Sequence, residues 1–110
     1  MKTLADCLSR IDTIAEFPDN WDSYGAKKLS AETVNLTKQV LDKLNELNIL
    51  PETINPSSED TISLSFENEL RKIYYVEIYK SGVIALWSSV SPYVETTLKE
   101  FATVFTEKFS

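Results

Sequence analysis

Histidine is missing from the 110 residues altogether, cysteine and methionine occur once each, and glycine only twice. Without histidine the commonest general base and the commonest metal ligand are gone. The lone Cys7 cannot close an internal disulfide. The chain also lacks a Walker-type glycine loop, a dinucleotide fingerprint, a Cys or His pair at zinc spacing and a serine in a nucleophile elbow. A catalytic centre would have to use carboxylates and tyrosines alone, so the expectation is a non-enzymatic protein with no cofactor and no metal. Basic residues are few, 11 against 17 acidic ones, and the formal charge of −6 opposes binding to nucleic-acid phosphates or an anionic membrane. Apolar runs stop at lengths such as Val83 to Trp87, far below the roughly 20 residues that span a bilayer. Asp6, Arg10, Asp12 and Glu16 interrupt any apolar core that an export signal would need, so the expected location is cytoplasmic.

What is present suits one globular domain over residues 1–110. Hydrophobic residues make up 43% and charged ones 25%, and a chain this long buries roughly two-thirds of its unfolded surface, enough for a core without staples. Leu4, Cys7, Leu8, Ile11, Ile14 and Ala15 recur at helical steps, with Thr3 and Asp6 as an approximate capping box and Pro18 as the stop. Ser30 suits the N-cap of a second helix striped by Val34, Thr37, Val40, Leu41, Leu44 and Leu47, and Asn48 and Pro51 end it. Residues 51–60, rich in Pro, Ser and acid, read as a connecting loop. Period-two alternation then predicts three strands, around 62–66, 73–80 and 83–88, joined by turns at Glu67-Asn68-Glu69 and Ser81-Gly82. Ser91-Pro92 matches an N-cap followed by a first-turn proline, and Val94, Leu98, Phe101, Ala102, Phe105 and Phe109 predict a third helix. The expected fold is therefore α+β, ordered α-α-β-β-β-α, with a three-stranded antiparallel meander packed by helices.

Three groups of residues are candidates for contact with a partner. The first is the aperiodic loop Pro18-Asp-Asn-Trp-Asp-Ser-Tyr-Gly-Ala26. Trp21 and Tyr24 either plug the gap between the helices and the sheet, with Asp22 capping a turn and Gly25 at positive φ, or stand out as binding anchors beside Asp19 and Asp22. This run resembles the loop of a scattered group of small bacterial and phage-associated proteins of unassigned function. The likeness is specific over residues 18–26 and loose over 15–90. It implies a shared fold element rather than an activity, and no catalytic residue is carried over from it.

The second group lies on the sheet. Placing Tyr74, Val76 and Ile78 with Ile84 and Leu86 leaves Ile73, Tyr75, Glu77, Tyr79, Val83, Ala85 and Trp87 on the opposite face, which is too apolar to be simply solvated. Either helix 3 covers that face, or Tyr75, Tyr79 and Trp87 form an exposed patch that binds protein. The third group is acidic: residues 31–60 hold six acidic and two basic side chains, and Glu32, Asp42 and Glu46 could present a negative helix face to a basic partner. Taken together, these features predict a partner-occupying protein. The expected classes are an antitoxin, an immunity protein or a phage-encoded inhibitor of a bacterial defence nuclease such as a CRISPR effector. Its partner is expected to be a protein with a basic surface. The alternative is a self-associating accessory subunit that dimerises through the aromatic sheet face.

Overall fold

A computed structural model describes residues 3–67, 72–89 and 91–109, the side chain of Phe109 excepted. Within them three helices, α1 (Leu4–Ala15), α2 (Ala31–Glu46) and α3 (Phe101–Phe109), accompany five strands, β1 (Thr53–Pro56), β2 (Thr61–Glu67), β3 (Ile73–Tyr79), β4 (Ile84–Ser88) and β5 (Val94–Thr96). The strands form one antiparallel sheet in sequence order, β1-β2-β3-β4-β5. The α+β class stands, and the expected three-stranded meander is its centre, extended by a short strand at each edge.

The helix caps follow the chemistry of their residues. The Thr3 hydroxyl accepts the Asp6 N–H at the start of α1, and the Ser30 hydroxyl accepts the Thr33 N–H at the start of α2. Cys7, Ile11 and Ile14 of α1 and Val40, Leu41 and Leu44 of α2 are fully buried. Their stripes lie in one core with Ile54, Ile62, Leu64, Phe66, Val76, Ile78, Ile84 and Leu86 from the inner face of the sheet. Each such aliphatic side chain contributes roughly 1.5–3 kcal/mol by leaving water. Burial also pushes the Cys7 thiol above its ordinary value, so it behaves as a small hydrophobe.

Two expected boundaries are corrected. Residues 51–60 are not all loop, because Ile54 pairs with Leu64 and Pro56 with Ile62 in β1. Proline is tolerated there because β1 is an edge strand, whose outward N–H row has no ladder partner to lose. Arg10 of α1 closes that edge, donating from Nε to the Ile54 carbonyl at 3.0 Å and from Nη2 to Asn55 Oδ1 at 3.2 Å. The second correction concerns Ser91-Pro92, which does not start a helix. The Ser88 N–H donates to the Ser91 carbonyl and the Ser91 N–H to Ser88 Oγ, reversing the chain into β5, where Val94 lies opposite Leu86 and Thr96 opposite Ile84. Turns at 98–100 delay α3 to Phe101. The expected turn at Asn68-Glu69 and the Phe109 side chain lie outside the described residues.

The placement of α3 decides which sheet face stays open. Phe101 is fully buried and Phe105 nearly so, in the same core as α1 and α2, and the Phe105 ring meets Phe66 of the inner face edge-on at 5.4 Å. All three described helices therefore lie on one side of the sheet, and α3 does not cover the opposite face.

Candidate functional site

The loop at 18–26 is built largely from hydrogen bonds to its own backbone. Asp22 Oδ1 accepts the N–H groups of Tyr24 at 2.8 Å and Ala26 at 3.1 Å, Asn20 Oδ1 accepts that of Gly25 at 2.7 Å, and Asp19 Oδ1 accepts that of Lys28 at 2.9 Å. Gly25 takes the expected positive φ, +85°. Trp21 is half-buried against Phe17, ring centroids 5.7 Å apart, and its indole N–H donates to the Lys27 carbonyl. Tyr24, in contrast to the plugging role considered for it, is 92% exposed. Asp19, Asp22 and Trp21 thus have structural employment, and Tyr24 projects alone.

Glu32, Asp42 and Glu46 are all exposed on α2. At 3.6 residues per turn they fall on one side of the helix, away from the buried stripe of Thr33, Thr37, Val40, Leu41 and Leu44 that faces the sheet. The acidic stripe and the outer sheet face therefore look out from opposite sides of the molecule.

On that outer face the strand register sets Tyr75 of β3 directly opposite Trp87 of β4. The two rings stack at 5.5 Å with 19° between their planes, and Tyr93, just before β5, extends the row at 6.1 Å from Trp87. Tyr75 is 36% and Tyr93 55% exposed, with Ile73 beside them at 43%. The neighbouring row across the same strands reads Glu77, Ala85, Glu95. Ala85 is fully buried although it points outward, because its small side chain lies between taller neighbours on both flanking strands. Thr61 donates to Glu77 Oε2 at 2.7 Å, and the Tyr93 hydroxyl donates to Glu95 Oε2 at 2.8 Å. The hydrogen bond to Glu95, followed by desolvation and the carboxylate's charge, pushes the Tyr93 phenol up to about 12. Burial, then the charge of Glu77, raises Tyr79 against an opposing hydrogen bond from Tyr93.

Glu67, Glu77 and Glu95 are the charged residues at outward positions of the described strands, and no Lys or Arg occupies such a position. The structure thus stacks Tyr75 on Trp87, sets Tyr79 further along the same face, and adds Tyr93 and Glu95, which the Ser91-Pro92 motif assigns to a helix. The alternation of Tyr93 and Glu95 with Val94 and Thr96 was the signal for them, too short to outweigh the Ser-Pro motif. No protein-family model, curated protein or solved structure matches the chain.

Proposed function

We propose that the protein is a non-enzymatic binding module that occupies a partner protein, as an inhibitor or neutraliser, and that the outer face of its sheet is the contact surface. The observation that carries this reading is the row Tyr75–Trp87–Tyr93, a half-buried Trp87 flanked by the exposed rings of Tyr75 and Tyr93, on the face that the described helices leave bare. Aromatic side chains of this kind supply most of the energy at protein interfaces, and clustered exposed apolar surface marks such sites. Its carboxylates suit a basic partner surface, such as the nucleic-acid site of a nuclease, by charge complementarity.

Self-association through the same face fits less well. A two-fold dimer is isologous, so each copy would bring Glu67, Glu77 and Glu95 against the same acidic face. The test is a calorimetric titration of the protein into a purified partner obtained with the tagged chain. The reading requires a defined stoichiometry and an affinity that falls at least about tenfold in Trp87→Ala, with circular dichroism showing that the variant remains folded. Affinity that is indifferent to Trp87 would remove the sheet face as the contact surface.

A further inference from the structure

The two edges of the sheet differ. At β1 the edge carries Pro56 and is closed by Arg10, which occupies the Ile54 carbonyl and Asn55. No proline or basic residue lies within β5, and the pairing parity shows where its backbone points. The Tyr79 N–H donates to the Val83 carbonyl at 3.0 Å, so these two opposed residues form a hydrogen-bonded pair. Such pairs alternate with non-hydrogen-bonded ones along an antiparallel ladder, which turns the Ala85 backbone towards β3 and those of Ile84 and Leu86 towards β5. Val94 and Thr96 therefore direct their backbone groups to β4. The Glu95 N–H and C=O point the other way, out of the sheet, and among the described residues neither has a hydrogen-bond partner.

An unpaired donor and acceptor on a sheet edge are a template for another strand. Position fixes the chemistry of what pairs there. A residue opposite Glu95 shares the outer face, where the described strands carry carboxylates and no lysine or arginine. Opposite charges facing each other across strands stabilise the pair, and like charges destabilise it. The residues on either side of that position turn to the inner face, beside the half-buried Val94. Resting on the reading of this protein as a partner-binding module, we propose that the β5 edge takes a sixth strand from the partner, an extended segment in which basic residues facing Glu95 alternate with apolar ones. Glu95 belongs both to the outer face and to this edge, so one partner reaches both. A second copy fits less well, because a two-fold pairing centred within β5 sets Glu95 opposite or diagonal to its own copy, between chains that each carry −6.

The probes are two capped heptapeptides of alternating valine and lysine that differ only in where the backbone is N-methylated. Methylation at the valines leaves free the lysine N–H groups, on the peptide edge that faces Glu95. Methylation at the lysines blocks that edge at equal charge and composition. A third peptide carries glutamate in place of lysine in the valine-methylated form. Fluorescence anisotropy of labelled peptides is expected to show saturable binding of the valine-methylated lysine peptide to the full chain. The lysine-methylated isomer should bind at least about tenfold more weakly, and the glutamate peptide should not saturate. Amide exchange reads the new bond directly: the Glu95 N–H should exchange fast in the free protein and at least about tenfold more slowly in the saturated complex. Glu95→Pro removes the outward donor without touching the β4 ladder and should abolish binding. Glu95→Gln keeps the donor and should weaken binding about threefold. Circular dichroism establishes that both variants fold, and the exchange measurement on the unaltered chain stands without them.

The inference is overturned by equal binding of the two isomers, by no binding of either, or by unchanged Glu95 exchange at saturation. A loss in Glu95→Gln as large as in Glu95→Pro would overturn it too, as would a dimer in sedimentation that Glu95→Pro dissociates. If the peptides fail while a purified partner still depends on Trp87, the edge inference falls and the binding-module reading survives. Partner affinity indifferent to both Trp87→Ala and Glu95→Pro ends both.

Discussion

A single carboxylate oxygen organises the aromatic loop, since Asp22 Oδ1 serves the Tyr24 and Ala26 N–H groups together. Asp22→Ala leaves both donors to water and is expected to cost about 1–2 kcal/mol, measured as a lowered midpoint in a denaturant titration. Tyr24→Ala, two residues away and almost fully exposed, should stay within about 0.5 kcal/mol. Asp22 as a turn cap and Gly25 at positive φ were legible because their causes are local: a short acidic side chain and a missing Cβ. The direction of Tyr24 was not, because an aromatic in a turn carries the same local signature whether it turns inward or outward. Tyr93 makes a second prediction at this scale. Its phenol is neutral while it donates to Glu95, and its folded value of about 12 lies above the ordinary 10.0. The stability it contributes is fully present below pH 10 and is lost as pH rises towards 12 and beyond, when two negative charges meet at the start of β5. Ultraviolet titration should show a late-ionising tyrosine that Tyr93→Phe removes, while the ring contact with Trp87 remains.

Elements were legible in proportion to their length. The twelve and sixteen residues of α1 and α2 repeat their apolar period several times, and β2 to β4 show period-two alternation over five to seven residues. β1 has only two inward positions, Ile54 and Pro56, and β5 two, Val94 and Thr96, too few to show a period. Both are defined by pairing to the free edges of a meander, a tertiary cause that no local window contains. The contact between Arg10 and β1 can be tested directly. Arg10→Ala should lower stability by about 1 kcal/mol and accelerate amide exchange at Glu52 and Ser57, whose N–H groups donate to the Ser65 and Thr61 carbonyls of β2. α3 has nine residues, too short to hold a helix by propensity, so packing maintains it. Phe101→Ala empties a fully buried site and should cost about 3–5 kcal/mol. Trp87→Ala, on the open face, should cost far less in the same chemical denaturation series. That contrast separates the aromatics that hold the fold from those available to a partner.

At the scale of the whole molecule, layering separates features that the sequence reading had joined. That reading lets the acidic stripe of α2 cover a basic site while Trp21, Tyr24 or the outer sheet aromatics anchor it, but a flat partner cannot touch both the stripe and the sheet row. A helix about 10–12 Å across and the sheet itself stand between Glu32, Asp42, Glu46 and the Tyr75–Trp87–Tyr93 row, in a body 27 Å across its shorter axes. The Debye length is about 8 Å at physiological salt and about 30 Å at 0.01 M. The stripe can therefore act on a ligand of the sheet face only through the long-range field, and only at low salt. Reversing Glu32, Asp42 and Glu46 to Lys should slow association with a basic partner at low ionic strength and leave it within about twofold at physiological salt. Stopped-flow and dissociation kinetics should show an unchanged dissociation rate, because that rate reports groups in contact and distant charges act on encounter. If the triple reversal instead accelerates dissociation, the α2 stripe is itself in contact, and because the two surfaces point in opposite directions, the sheet face then cannot be where a flat partner sits.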